Sequence, residues 1–424
     1  MPSELVSVTE SQRSSGRRSG MFRALSNRNY RIFWTGAFLS NVGTWMQAVA
    51  QGWLVLKLTN SPFWLGLDTF MATAPSFFFT LAGGVFADLI DRRRLLIFTQ
   101  VTAGIAAFGL ATLVFTDVVN RWMVLGFSFL TGCCMALASP SYLAMTYDLV
   151  GREDLSNAIA MNSTQFQLAR VVGPTLAGLA FRVFGLAGCF YANGVSFIAV
   201  VVALKIVRPT NRVITPAHSV KDRRALWQDL VDGFRYVRNR PRVSSLLLIS
   251  AVNGLFGAPY FSMVPIFARD IFKLGATGLA LMMGVAGCGA LGGALLVAYL
   301  GDFRRKGSFV LGGAIVFGLC IAGFAQSSRL LFSLMFLFGV GFALVVSMAL
   351  INTLLQKLVT DQMRGRVMSM FLLSLIGTLP IGSLLAGTSS TRFGPQPTLA
   401  VGGLVVATVA TIISIVNKRL RELH

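Results

Sequence analysis

Charge is scarce in this chain. Asp, Glu, Lys and Arg make up 12% of 424 residues, against 54% hydrophobic residues. A soluble domain carries about 25% charged residues, so a water-soluble fold is excluded. Acidic residues are scarcer still, at 16, and there are two histidines and five cysteines. Cys133, Cys134, Cys189, Cys288 and Cys320 all fall in apolar runs, while His218 and His424 fall in polar segments. That separation gives no metal-ligand spacing, so the cysteines read as small packing residues and no metal or cofactor is expected. No Gly-x4-Gly-Lys loop is present, which argues against ATP-driven chemistry. No nucleophile, base and metal constellation marks an enzyme. The Ser- and Arg-rich N-terminal tail has no apolar core with a cleavage site, so it does not read as a signal peptide.

Long apolar runs are what the chain has. Twelve of them, at roughly 30–56, 62–87, 95–116, 122–147, 157–181, 185–207, 243–267, 277–300, 308–326, 330–355, 367–389 and 397–417, approach or exceed the ~20 residues that a bilayer requires. Backbone in lipid must satisfy its own hydrogen bonds, so the runs predict helices and an all-α membrane protein. The division expected is a tail at 1–28, a six-helix bundle at 29–207, a linker at 208–242, a second bundle at 243–417 and a tail at 418–424. Gly is frequent, at 43 residues, as in helices packed closely in membranes.

The net charge of +21 is distributed by side. With both termini on one side, that side holds 29 of the 37 Lys and Arg, the other side seven, and Arg170 lies within a run. The positive-inside rule then places both termini in the cytoplasm of a cell (inner, plasma) membrane. Anionic lipid headgroups, rather than nucleic acid, are the expected partner of the basic loops. In the linker, Trp227, Leu230, Val231, Phe234 and Val237 recur at helical spacing before Pro241, predicting an amphipathic surface helix.

The halves repeat at an offset of about 207–214 residues. Asp154 before the fifth run corresponds to Asp361 before the eleventh, Gly178 and Gly185 to Gly387 and Gly394, and Asp88 with Arg92–Arg94 to Asp302 with Arg304–Lys306. Repeated halves are the signature of a transporter that rocks one bundle against another around a midplane site.

Two local motifs carry more. Gly83-Gly84-Val-Phe-Ala-Asp88-Leu-Ile-Asp91-Arg92-Arg93-Arg94 closes the second run. It resembles the loop signature of the major facilitator superfamily, a carboxylate at a helix end with a basic cluster that can latch one conformation. Leu89 stands where that family has a basic residue. Arg170-Val-Val-Gly173-Pro174-Thr-Leu-Ala-Gly178 is similar to the superfamily's antiporter motif, in which Pro bends the helix and glycines allow close packing. Ala177 replaces a glycine, and Ser128 stands where the proton-transfer signature has Arg. Phe22–Tyr30, Phe33-Trp34, Ser40–Trp45, Asp229–Arg240 (DLVDGFRYVRNR) and Arg364–Ser369 together resemble the subfamily of the enterobactin exporter and macrolide-efflux proteins, the transmembrane secretion effectors. The resemblance spans residues 21–417. It implies two pseudo-symmetric six-helix bundles and a proton-coupled, monomeric exporter of a small amphipathic molecule such as a drug or siderophore. An importer, or a sensor or scaffold without flux, remains the alternative.

Buried charge points to the site. Asp68 is the one acid well inside a run, and Arg170 its one basic counterpart. Two readings stand open: a protonation site facing the cavity and tuned by Arg170, or a structural acid paired with Arg170 or reaching the outer interface. In the resembling fold the first, fourth, seventh and tenth helices line the cavity. The candidates there are Asn41, Trp45, Gln47, Gln51, Tyr142, Met145, Asn253, Phe256, Tyr260, Asn352 and Gln356. Topology is directly testable: with His218→Cys in a chain cleared of its five cysteines, an impermeant thiol reagent is expected to react only after the membrane is opened. Labelling in intact cells overturns the orientation.

Overall fold

Short polar side chains set where the helices begin. In a computed structural model, which describes residues 22–89, 91–207, 223–301 and 303–423 (side chains except at 78–89 and 223–230), Asn27 accepts hydrogen bonds from the backbone N–H groups of Asn29 and Tyr30. That cap starts α1 (Arg28–Thr59). The α2 helix spans Pro62–Leu89. Asp91 caps α3 (Arg92–Phe115) by accepting from the Arg94 N–H at 3.0 Å. Asn120 caps a continuous helical run, Arg121–Ile206. Gly151 (φ 73°) and Gly185 (φ 65°) break that run with backbone that favours glycine, giving α4 (121–150), α5 (152–184) and α6 (186–206).

The amphipathic segment forms α7 (Arg223–Arg238). It ends two residues short of Pro241, which serves as the first residue of the next pass. That pass, α8 (Pro241–Ile271), contains two wide π turns, Asn253–Gly257 and Phe267–Ile271. Pro259 and Pro265 lack an N–H, and the Ala258 N–H reaches back to the Asn253 carbonyl at 2.7 Å. Then follow α9 (Gly275–Leu300), α10 (Lys306–Gln326), α11 (Leu330–Leu358), α12 (Asp361–Phe393) and α13 (Pro395–Val416).

These helices make twelve passes. Among the described residues eight helical stretches are long and apolar enough to cross a membrane, one of them the run that holds α4, α5 and α6. Phe98, Ile105, Ile198, Leu331 and Val401 point outward and exposed. Apolar side chains on the outside and a polar interior mark a multi-pass membrane protein. At the face away from the termini, the Arg121 guanidinium lies 4.8 Å from the Trp64 ring, and Trp64 meets Trp122 edge-on at 5.0 Å. Such rings suit the membrane–water boundary.

The N-terminal signature residues stitch the first bundle together. The Tyr30 hydroxyl donates to the Ala158 carbonyl at 2.9 Å, and Trp34 Nε1 donates to the Met161 carbonyl at 3.1 Å. Arg23 pairs with Asp154 at 2.8 Å. Arg92 pairs with Asp148 at 3.3 Å. Arg93 donates to the Leu204 and Lys205 carbonyls at 2.7 and 2.6 Å, closing the end of α6. Gly84 and Asp88, the other latch residues, lie outside the residues whose side chains are described. In the second bundle, Arg366 on α12 pairs with Asp232 on α7 at 3.3 Å, so the surface helix is tied to the eleventh pass.

The bundles meet along glycine seams. A methyl group at Gly178 would sit 3.1 Å from the Ala280 Cβ, and one at Gly287 3.2 Å from the Val171 Cα, joining α5 to α9. Gly66 and Gly387 approach backbone to backbone between α2 and α12. Arg269 adds a hydrogen bond to the Leu56 carbonyl at 3.3 Å. These contacts lie from the middle of the protein to the face away from the termini. On the terminal side, Leu143, Leu295 and Tyr299 are exposed. The two bundles are therefore closed against each other at the face away from the termini. Because Gly178 packs across the bundles, Gly178→Leu is expected to disfavour this state. Spin-label distances across the closed face should shift to longer values by several ångströms, and an unmoved distribution removes Gly178 from the seam.

Candidate functional site

The first helix brings the polar residues together. Gln47 and Gln51 are four residues apart on α1, so they share a face. Gln51 Nε2 donates to both Asp68 carboxylate oxygens at 3.0 Å and to Ser128 Oγ at 2.8 Å. The Ser128 hydroxyl donates to Asp68 Oδ1 as well. Behind this group, Gln47 Nε2 donates to Gln51 Oε1 at 3.3 Å, and Asn193 Nδ2 donates to Gln47 Oε1 at 2.6 Å. Three carboxamides thus form a one-way chain of donors from α6 through α1 to the carboxylate on α2. Asp68 is 7% exposed, and such burial requires these donors.

Arg170 and Asp68 line one cavity of about 410 Å³ between the bundles, with Trp45, Gln47, Gln51 and Tyr260. They do not pair. The Arg170 guanidinium donates to the Tyr260 hydroxyl at 3.2 Å, and its central carbon lies 5.5 Å from the Trp45 ring. Trp45 in turn meets Phe261 edge-on at 5.7 Å. The irregular turn in α8 presents Tyr260 to Arg170 from the opposite bundle. The reading of Asp68 as a partner of Arg170 is corrected by this geometry: Gln51 and Ser128 satisfy the acid, and Tyr260 and Trp45 hold the base.

Other expected cavity residues fall elsewhere. Asn41 and Tyr142 line a smaller adjoining pocket inside the first bundle. Met145 is buried in that bundle's core, because its face of α4 turns inward. Asn253 opens the π turn of α8, is 1% exposed, and has neither amide atom hydrogen-bonded. Phe256 points away from the cavity, lining a groove with Pro259 and Phe393, since the wide turn rotates it outward. Asn352 and Gln356 bond to each other at 2.6 Å along α11, toward its terminal end. Gly173 and Pro174 are buried; a methyl at Gly173 would lie 2.8 Å from the Val42 carbonyl, so the motif seats α5 on α1. Ser128, as a ligand of Asp68, and Asn193 are functional candidates that the motif search missed. Asn193 had one available signal, a carboxamide in the apolar run of the sixth pass.

The family of transmembrane secretion effectors matches residues 19–424. The chain belongs to that family. It is 23% identical over 399 residues to the staphyloferrin A transporter of Staphylococcus aureus, covering 92% of this chain and 97% of the relative. It is 24% identical to the enterobactin exporter of Shigella flexneri, covering 93% and 92%. Its fold is that of the major facilitator transporters. The nucleoside transporter NupG superposes with a TM-score of 0.72 at 12% identity, covering 92% of this chain and 99% of that one. A bacterial homologue of the lysosomal transporter Spinster, inward-facing and unoccupied, superposes at 0.71 and 15%, covering 93% and 97%. The chain is accordingly a transporter.

The carboxamide chain makes a quantitative demand. Asn193→Leu leaves the Gln47 Oε1 without its donor, a loss of about 1–3 kcal/mol for a buried acceptor. The thermal midpoint of the purified protein should fall. Gln47→Leu alone leaves both the Asn193 amide and the Gln51 Oε1 without their partner, so the double variant should lose less than the sum of the two single losses. Strictly additive losses would show that the two residues act independently.

Proposed function

We propose that this transporter exports small amphipathic organic molecules across the cell membrane, exchanging them for protons at Asp68. The observation that carries the reading is the position of Asp68: a lone carboxyl group in the central cavity, held by neutral donors and free of an arginine partner. An acid fixed by Arg stays ionised, whereas one held by amides and a hydroxyl can gain and lose a proton as solvent reaches it. Arg170 stands in the same cavity with a tyrosine and a tryptophan as its neighbours. It offers a site for an anionic or polar group of the cargo, while Trp45 and Phe261 take an apolar part.

The alternating-access cycle follows from the seams. In the described state the face away from the termini is shut by glycine contacts, which leaves the terminal side as the route to the cavity. With the termini in the cytoplasm, as the distribution of Lys and Arg supports, this is the loading state of an exporter. The division into two bundles with a linker at 208–242 fits this motion, as does a monomer that needs no partner to enclose the cavity. The Gly173-Pro174 motif and the relative from Shigella flexneri that is named as an exporter support the outward direction.

Two measurements test the reading. In inverted vesicles, an imposed pH gradient should drive uptake by the wild type and fail to drive it in Asp68→Asn, while downhill exchange persists. An unchanged response to the gradient removes Asp68 from coupling. In a host stripped of its main efflux pumps, expression should lower accumulation of at least one amphipathic compound. Raised accumulation of a nutrient, with no compound lowered, favours import.

A further inference from the structure

Beside the central cavity, and toward the terminal side, a second pocket of about 300 Å³ penetrates the first bundle. The two share Thr44, Met135 and Phe197, so they adjoin. Their chemistry differs. The central cavity holds both Asp68 and Arg170, while the second pocket has no charged residue in its lining. It combines the carboxamides of Asn41, Gln100, Asn162 and Gln165 with the rings of Phe33, Tyr142 and Phe166.

Gln165 is the decisive residue. It is 1% exposed, and its Oε1 accepts from the Tyr142 hydroxyl at 3.3 Å. Its Nε2 has no hydrogen-bond partner although buried. Exchanging the two ends of the amide does not remove the problem, because one of them always faces Tyr142 and the other is left over. A buried amide without a partner costs about 1–3 kcal/mol, which a ligand atom placed in the pocket would offset.

We propose that this pocket is a binding subsite for the uncharged, aromatic end of the cargo, with Gln165 bonding a carbonyl or similar neutral group on it. Charged groups are excluded because nothing in the lining compensates them. A cargo molecule then spans both compartments, its ionisable end between Asp68 and Arg170 and its neutral ring among Phe33, Tyr142 and Phe166. The assignment of the ligand as cargo rests on the exporter reading; the preference for neutral aryl groups does not.

Binding without flux tests it. The full chain, with its five cysteines replaced by alanine, is placed in lipid nanodiscs carrying either Ser139→Cys at the pocket or Thr69→Cys in the central cavity. Maleimide labelling rates are measured with benzamide, acetanilide or phenylurea, and with the charged relatives benzoate and benzylammonium. The neutral compounds should slow labelling at Ser139→Cys and leave Thr69→Cys unaffected. Adding Gln165→Leu should raise the half-protecting concentration about tenfold, the worth of one hydrogen bond. Absence of protection by every neutral compound, equal protection by the charged ones, or no effect of Gln165→Leu each overturns the subsite. Because no transport is measured, the subsite can fail while the accumulation and pH-gradient results stand, and the reverse.

Discussion

A carboxylate inside a membrane protein needs hydrogen-bond donors that water no longer supplies, and the first bundle is arranged around meeting that need. Gln51 sits at the crossing point of α1, α2 and α4, where its amide reaches Asp68 and Ser128 together. Gln47 and Asn193 exist in this setting to keep the Gln51 amide pointing the right way. The requirement spreads from one acid into the rotation of three further helices: α1 must turn Gln47 and Gln51 inward, α6 must bring Asn193 to them, and α4 must present Ser128. Charge placed in a medium of low dielectric is strongly directional in what it asks of its neighbours.

The partition of chemistry between the bundles follows. The acid, its donors, the arginine and the neutral pocket all belong to the first bundle. The second contributes Tyr260 and Phe261 across the cavity and the α9 and α12 faces at the seams. Among the described residues, Tyr260 is the side chain of that bundle whose hydrogen bond to Arg170 joins the two sides of the cavity. Altering that bond is a direct way for the binding of cargo to be felt by the opposite bundle, since an acceptor on the cargo would draw on the same guanidinium.

Much of this was legible in the sequence. The apolar runs located the passes because lipid requires about one uninterrupted helix length of apolar residues for each. They give no sign of the wide turns in α8, where prolines interrupt the regular pattern without ending the helix, because hydropathy contains no term for that. Asp68 and Arg170 stood out because intramembrane charge is rare. Their lack of a mutual bond was not legible, since pairing depends on how far each helix is rotated. The i and i+4 spacing of Gln47 and Gln51 was readable as a shared face; the same spacing at Asn352 and Gln356 gave a pair that satisfies itself along its own helix. Asn193, Gln100 and Gln165 lie on passes that the resemblance does not assign to the cavity, so a search confined to four helices passed over them.

The glycine seams have a mechanical consequence. Interlocked side chains make a boundary that must disengage tooth by tooth, each tooth with its own rotamer to free. Where backbone faces backbone, as at Gly66 and Gly387, there are no teeth. Such a boundary separates like two smooth plates, with a resistance set by area and by what flows in to wet or coat the exposed strips. Lipid thickness and the ease of hydrating those strips then become settings on the machine, and the same chain would turn over at different speeds in membranes of different composition without a single residue being changed.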